Sequence, residues 1–244
     1  MKRIAIFVEG QTELIVAREF LLKYFDYSNI HIECRTLFTD SKFHKAEYDT
    51  INTAADYGFQ IINVGNDNAV LSRMLNREEY LWNAGFEKII CLRDMYSSNY
   101  KDFASEISNE ITLRFKETIG NTIASRALKP EQISFCFAIM ETEAWFLAVE
   151  DIFVEIDLSL TNDFIQEKLN CNLIAIDPER KIFHPTKLIE EIYSLVGKNY
   201  NKSKRGIESL ASKCTKEKFE NLNSSLKCES FSVFYSEIVK VTSE

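Results

Sequence analysis

The sequence contains little glycine and proline, with seven and three residues respectively in a chain of 244. A protein rich in loops and tight β turns needs more of both, so this composition argues against an all-β design of that kind. No apolar run approaches the roughly 18 residues that cross a bilayer. The five apolar residues after the initial Met-Lys-Arg are also too few for the core of a signal peptide. We therefore expect a cytoplasmic protein that makes no membrane contact.

The sequence also lacks the spacing motifs of common metal and nucleotide sites. Its six cysteines show no Cys-x-x-Cys pair, which argues against zinc and disulfides and favours reduced thiols. Cys91 and Cys136 fall within predicted buried strands, where free cysteine behaves as a small hydrophobe. No Gly-x-x-x-x-Gly-Lys-Ser/Thr loop is present, so any ATP-driven step requires another chain.

Basic residues are outnumbered by acidic ones, 29 to 37, which gives a formal net charge of −8. That balance is unfavourable for a protein that holds nucleic acid by bulk electrostatics. The distribution is uneven, since residues 181–218 carry nine Lys or Arg against four acids, whereas residues 151–180 carry seven acids against two bases. The basic segment is either a face for a phosphate backbone or the solvated side of two helices.

Short apolar runs alternate with amphipathic stretches over the first 150 residues, which predicts strands separated by helices. The predicted strands are 4–8, 30–38, 59–64, 88–94 and 135–141. The predicted helices between them are 12–27, 69–75, 77–84 and 99–118. Residues 65–68 are predicted to form a turn with a helix cap, and 40–58 is too polar to assign. Farther on, the pattern is mainly helical, over 160–170, 185–196, 203–213, 215–226 and 230–241. We predict an α/β domain over 1–150, with a mainly parallel sheet and flanking helices, and a helical extension over 151–244 packed on it.

Acidic residues follow three of the predicted strands. Glu9 comes directly after the first strand, Asp94 ends the fourth, and Glu141 ends the fifth with Glu143 close behind. Because the carboxyl ends of parallel strands form the edge where ligands bind, these acids converge if their strands are neighbours. Glu13 faces the same crevice if a helix begins at residue 11 or 12. Such oxygen ligands suit Mg²⁺ or Mn²⁺, which activate water and stabilise charge on a phosphate. The competing interpretation is that each acid caps the helix after its strand.

Two of these strand ends resemble motifs of a known family. Phe7–Glu13 is similar to the opening motif of Toprim domains, the metal-dependent catalytic fold of topoisomerases, primases and recombination nucleases. Its pair of acids four residues apart is most similar to nucleases of the overcoming-lysogenization-defect class. Ile89–Tyr96 resembles the second Toprim signature, a strand that ends in Asp-x-Asp.

Later motifs extend the resemblance along nearly the whole chain. Met140–Ala148 resembles the Glu-x-Glu-Ala-Trp-x-Leu box of an uncharacterised bacterial Toprim-like family. That family has a Lys-Pro-x-Lys-like stretch and a Tyr-x-Lys segment farther on, to which His184–Lys187 and Tyr200–Lys202 correspond. Trp145, within the box, is interpreted as a core anchor.

The resemblance implies a nuclease that hydrolyses phosphodiester bonds of DNA or RNA with Mg²⁺ or Mn²⁺. It also implies a prokaryotic role in phage defence beside a partner ATPase, and it leaves homo-oligomerisation open. The implied catalytic residues are Glu9, Asp94 and Lys202, the implied metal ligands are Glu9, Glu13, Asp94, Glu141 and Glu143, and the implied phosphate or substrate contacts are Arg93, Lys187 and Lys204. Arg93 has the alternative of a structural salt bridge, and the lysines have the alternative of ordinary surface positions.

One departure from the motif affects the predicted activity. Tyr96 stands where the second aspartate of Asp-x-Asp is expected, and a phenol with a reference pKa near 10 supplies no carboxylate at neutral pH. Either the acids Glu13, Glu141 and Glu143 complete the coordination of one metal, or Asp102 or another acid is the true ligand, or the site is degenerate. The degenerate case predicts a subunit that binds a partner protein or nucleic acid. A small-molecule phosphohydrolase is a third hypothesis.

Overall fold

The computed structural model of the chain describes residues 1–37, 42–66, 69–96 and 98–243. The end of the predicted 30–38 strand and half of the predicted 65–68 turn lie outside the described residues. Within them, no helix combines the length and the apolar character needed to cross a membrane.

Six strands in the described part of the chain form one sheet, in the order β3-β2-β4-β1-β5-β6. Every neighbouring pair is parallel except β2 and β3, which are antiparallel. The strands are β1 (Lys2–Val8), β2 (Ile30–Leu37), β3 (Phe43–Lys45), β4 (Tyr57–Asn63), β5 (Lys88–Asp94) and β6 (Ile133–Ala138). The predicted α/β fold with a mainly parallel sheet is therefore confirmed.

The last strand ends earlier than the sequence predicts. The apolar run continues to Glu141, but β6 stops at Ala138 and a tight turn follows. Met140 has a φ of 64°, in the left-handed region, and Glu141 donates its N–H to the carbonyl of Ile139. The backbone at residues 139–141 therefore leaves the sheet, and Glu141 lies in the turn after the strand instead of at the end of the strand.

Helices cover both faces of the sheet. They are α1 (Gln11–Tyr24), α2 (Val70–Leu75), α3 (Glu78–Asn83), α4 (Ser98–Phe103), α5 (Asn109–Arg126), α6 (Glu143–Ala148), α7 (Asn162–Leu169), α8 (Pro178–Lys181), α9 (Pro185–Ser194), α10 (Lys204–Ser212), α11 (Lys216–Ser224) and α12 (Glu229–Ser243). The predicted helix over 99–118 is instead two helices, because Ser108 caps a new one by accepting the N–H of Ile111. Helices α6 and α8 were not predicted.

The central strand β1 separates two hydrophobic cores. Ile4, Ile6 and Val8 face α1 and the C-terminal helices, whereas Ala5 and Phe7 face α2 and α5. This alternation is the period of two that a strand buried on both faces requires. The helices after residue 151 thus share a core with the sheet, and Cys91 and Cys136 are buried within β5 and β6 as predicted.

Candidate functional site

The three strands that lead to acidic residues are neighbours in the sheet, with β5 between β1 and β6. Their register places Val8 opposite Leu92 and Asp94 opposite Ala138. Glu9 therefore emerges beside the end of β5, where its Oε2 accepts the backbone N–H of Asp94 at 3.1 Å. Two of the predicted acids are joined directly by this contact.

Glu13 is fixed in the same crevice by the start of α1. The helix begins at Gln11 with Gly10 as its N-cap, and Glu13 Oε2 accepts the Gly10 N–H at 2.9 Å. This is the returning half of a capping box, which satisfies a backbone donor at the helix start. The side chain of Glu13 is buried as a result.

The turn after β6 adds a residue that the sequence did not single out. Thr142 is fully buried, its N–H donates to Asp94 Oδ1 at 2.9 Å, and its hydroxyl donates to Glu13 Oε1 at 3.4 Å. Thr142 thus connects Asp94, at the end of β5, to Glu13, in the first turn of α1. Its place between Glu141 and Glu143 in the Glu-x-Glu box was the only signal available in the sequence.

We call Glu9, Glu13, Asp94, Glu141 and Glu143 the acidic cluster. Lys202 brings a single ammonium group into it. Lys202 Nζ lies 3.1 Å from Glu143 Oε2, 3.5 Å from Asp94 Oδ2 and 3.6 Å from Glu141 Oε1. The lysine comes from the loop between α9 and α10, so the C-terminal helical region completes a site that begins at the sheet.

Two further residues of that region orient the acids. The Tyr200 hydroxyl donates to Glu143 Oε1 at 3.4 Å, and the N–H of Thr186, in the first turn of α9, donates to Glu141 Oε2 at 3.0 Å. Tyr200 is buried against Tyr193, with ring centroids 5.4 Å apart. The two hydrogen bonds join residues 57 and 45 positions apart, so no local sequence pattern reveals them.

The acidic cluster carries more negative charge than its surroundings offset. Burial, followed by the charge of Glu9, raises the pKa of Glu13 to about 7. Burial and the charge of Glu13 raise the pKa of Asp94 well above its usual range, and burial raises the pKa of Glu143 against the opposing charge of Lys202. Burial opposes the charge on Lys202, but the surrounding carboxylates outweigh it and raise its pKa. Crowded like charges of this kind are characteristic of functional sites.

The donor atoms of the acidic cluster are those that Mg²⁺ and Mn²⁺ prefer, since all of them are carboxylate oxygens. In the side-chain arrangement of the described residues, however, no three His, Cys, Asp or Glu are grouped so that they could hold a metal ion. The cation among the carboxylates is the Lys202 ammonium. The chemistry of the site therefore fits a divalent cation, provided that the acids draw together around it.

The residues expected to bind phosphate lie in three different places. Arg93 is buried on the opposite face of β5 from Asp94, with its guanidinium 5.7 Å from the Phe137 ring centre. Lys204 pairs with Glu47, away from the acidic cluster. Lys187 is exposed in the first turn of α9, next to the Thr186 amide that contacts Glu141. Of the three, Lys187 directly follows a residue whose backbone contacts the acidic cluster.

An aromatic group occupies the rim beside Asp94. The ring of Tyr96 lies 5.3 Å from Phe183 and 5.4 Å from His184, in edge-on geometry. Its backbone N–H donates to Met140 O at 2.8 Å. Tyr96 thus packs against the chain just before α9, where an Asp-x-Asp motif would place a second carboxylate.

Comparison with known proteins identifies one family. The model of a family described as "Domain of unknown function (DUF4276)" matches residues 8–225. Neither a curated protein nor a solved structure matches the sequence. The matched range includes the whole acidic cluster, Tyr200 and Lys202, and it extends across the predicted boundary between 150 and 151.

Proposed function

The chain belongs to the DUF4276 family, and we propose that it is a metal-dependent phosphodiesterase that cleaves nucleic acid with Mg²⁺ or Mn²⁺. The observation that carries the proposal is the convergence of five carboxylates at the carboxyl ends of three adjacent parallel strands. A purely structural core avoids such an arrangement, because buried like charges raise one another's pKa and destabilise the fold. A divalent cation would offset that charge.

Each residue of the site has a proposed role. Glu9, Asp94, Glu141 and Glu143 would hold the metal ion, which when bound supplies an activated water and a Lewis acid. Thr142 keeps the Asp94 carboxylate in place through its N–H. Glu13, which is buried beside these acids and accepts the hydroxyl of Thr142, would be the fifth carboxylate of the metal site. Lys202 would neutralise charge that develops on the phosphate.

The broader setting follows from the resemblance to Toprim nucleases. A nucleic-acid substrate, a prokaryotic role in phage defence, a cytoplasmic location and a separate ATPase partner all belong to this proposal. The sequence has no Gly-x-x-x-x-Gly-Lys-Ser/Thr loop, so any ATP hydrolysis in this setting would be the task of that partner.

A second function, that of a binding or scaffold subunit without catalysis, is favoured by two observations. Tyr96 offers no carboxylate where the motif expects one, and the Lys202 ammonium already lies within ion-pair distance of three acids. Purified protein that shows no Mn²⁺ binding by calorimetry, but co-purifies in fixed ratio with a neighbouring gene product, would favour this alternative.

The nuclease proposal predicts that Asp94→Asn lowers metal-dependent cleavage by about 100-fold or more, because a charged metal ligand is lost while the Asn oxygen still accepts the Thr142 N–H. Initial rates are measured on plasmid, single-stranded DNA, tRNA and free nucleotides, with Mg²⁺, Mn²⁺ or EDTA. Glu167→Gln, which removes an exposed acid on α7, is the matched control and should keep the wild-type rate.

Persistence of metal-dependent cutting in the double variant Glu9→Ala/Asp94→Ala would exclude this site as the source of the activity. Cleavage of free nucleotides without cleavage of any polymer would instead support the small-molecule phosphohydrolase.

A further inference from the structure

We infer that Lys202 is a built-in competitor of the divalent cation. Its ammonium occupies the acidic cluster in the absence of metal and leaves the carboxylates when a metal ion binds. This inference rests on the proposed metal-dependent function and specifies how access to that site is regulated.

The distances identify Lys202 as the cation that the carboxylates share. Its Nζ lies within 3.1 to 3.6 Å of Asp94, Glu141 and Glu143. A metal ion bound between the same three carboxylates would lie close to this ammonium, and two cations at such short range repel each other. Binding of metal therefore requires the ammonium to withdraw.

The exposures of the side chains show which partner is free to move. Those of Asp94 and Glu143 are 6% and 0% exposed, whereas that of Lys202 is 35% exposed. The carboxylates are held by the sheet and by α6, but a lysine side chain that already reaches solvent withdraws by rotating about its own bonds. Release of Lys202 thus leaves the hydrophobic core closed.

The loop that carries Lys202 is anchored close to the site but not at Lys202 itself. Tyr200 is buried between Tyr193 and Glu143, and Ser203 caps α10 by accepting the Gly206 N–H at 3.3 Å. Lys202 lies between these two fixed points. A short local movement is consequently sufficient to exchange the ammonium for a metal ion.

The contact with Glu143 is also poorly suited to permanent pairing. Glu143 is fully buried, and its Oε2 has no hydrogen-bond partner among the described residues, although Lys202 Nζ is 3.1 Å away. The charge of Lys202 is therefore what mainly stabilises the ionised form of this buried carboxylate. A divalent cation in the same place would supply two charges where the ammonium supplies one.

The released lysine stays at the rim of the site, where a phosphate would enter. Loss of Lys202 should therefore affect metal binding and turnover in opposite directions, with tighter binding but slower cleavage. A residue with a purely structural role would weaken both.

The test is calorimetric titration of Mn²⁺ into the full chain and into two variants at one pH and ionic strength. Lys202→Met should bind Mn²⁺ about tenfold more tightly than the wild type, or better, which corresponds to about 1.4 kcal/mol. Lys204→Met removes an exposed lysine of the same segment that pairs with Glu47, and it should bind Mn²⁺ as the wild type does.

If Lys202→Met binds Mn²⁺ no more tightly than the wild type does, Lys202 does not compete with the metal ion, and the inference is overturned. The proposed metal site itself would still stand. An equal gain in Lys204→Met also overturns the inference, since the effect would then be general electrostatics. Absence of Mn²⁺ binding in all three proteins overturns the proposed function as well.

A second measurement on the wild type keeps the inference testable if Lys202→Met does not fold. Hydrogen exchange of residues 198–203 should speed up at a Mn²⁺ concentration shown by calorimetry to saturate the protein. Unchanged or slower exchange of this loop in the saturated protein would contradict the release of Lys202.

Discussion

At the scale of single residues, the acids were accessible to sequence reasoning and their partners were not. Glu9 and Asp94 stand where apolar runs stop, so position alone marks them. Thr142 has no such mark, and Tyr200 is marked only by the resemblance of Tyr200–Lys202 to a Tyr-x-Lys segment. The role of each is a hydrogen bond to an acid on a distant element, which position in the sequence does not reveal. For Arg93, proximity in sequence was misleading. Because successive residues of a strand point to opposite faces, its side chain lies on the other face of β5 from that of Asp94.

A buried carboxylate outside the acidic cluster, that of Glu179, should make the stability of the fold depend on pH. Glu179 accepts the indole N–H of Trp145 at 3.0 Å and the N–H of Ser230 at 3.1 Å. Burial raises its pKa from 4.5 to about 7, against these hydrogen bonds, which lower it. Trp145 is thus the core anchor that the sequence predicted, and Glu179 is what holds its polar edge.

The sign of the pH effect follows from that shift. Because the pKa of Glu179 is higher in the folded chain, the contribution of this residue to the free energy of unfolding is fully present below about pH 4.5. It declines by about 3 kcal/mol as the pH rises through 7. We predict that the melting temperature falls less between pH 5 and pH 8 in Glu179→Gln than in the wild type, because the variant has no carboxyl group to ionise there. The amide nitrogen of Gln cannot accept an N–H as the carboxylate does, so the pH dependence, and not the absolute melting temperature, is the quantity to compare. Calorimetric melting at both pH values is the measurement.

Glu190→Gln, which removes an exposed acid on α9, is the control and should track the wild type at both pH values. A Glu179→Gln variant whose melting temperature falls between pH 5 and pH 8 by as much as that of the wild type would contradict this account.

At the scale of elements, the parallel strands were predictable, whereas the turns and the edge strand β3, which lies within the unassigned 40–58 stretch, were not. The strands β1 and β5 are apolar on both faces, as parallel strands buried between helices require, and β5 has the predicted bounds. The end of β6 was misjudged because apolar residues continue into a turn in which Met140 adopts a positive φ. Short helices such as α6 depend on tertiary packing instead of periodicity, so hydrophobic spacing does not reveal them.

The start of α10 offers a way to move the Lys202 loop without touching a charge. A Cβ added at Gly206 would collide with the backbone oxygen of Asn201. We predict that Gly206→Ala displaces this loop, loosens Lys202 from the acidic cluster and tightens Mn²⁺ binding in the same direction as Lys202→Met. Calorimetric titration of the folded variant measures the change.

Gly120→Ala in α5 is the matched control, because a Cβ there meets nothing within 4 Å. It should leave Mn²⁺ binding unchanged and stabilise the helix by up to about 1 kcal/mol. A folded Gly206→Ala variant with wild-type Mn²⁺ affinity would argue against control of the site by this loop.

At the scale of the whole molecule, several lysines of the basic segment 181–218 form ion pairs with acids elsewhere in the chain. Lys198 pairs with Asp157, and Lys218 pairs with Glu155, so bases of 181–218 meet acids of the preceding stretch. Lys216 likewise pairs with Asp26 at the end of α1. These contacts favour the structural interpretation of the segment over a continuous phosphate-binding face. With a net charge of −8, the nucleic-acid binding that we propose would then depend on the proposed metal ion.

The central claim is that the acidic cluster binds a divalent cation. The most direct test is a crystal of the wild-type protein soaked in millimolar Mn²⁺, with anomalous diffraction recorded at the manganese absorption edge. The account predicts an anomalous peak between the carboxylates of Asp94 and Glu143, with the Lys202 ammonium displaced from both. A map without a peak at the cluster, in which Lys202 still pairs with these acids, would contradict it.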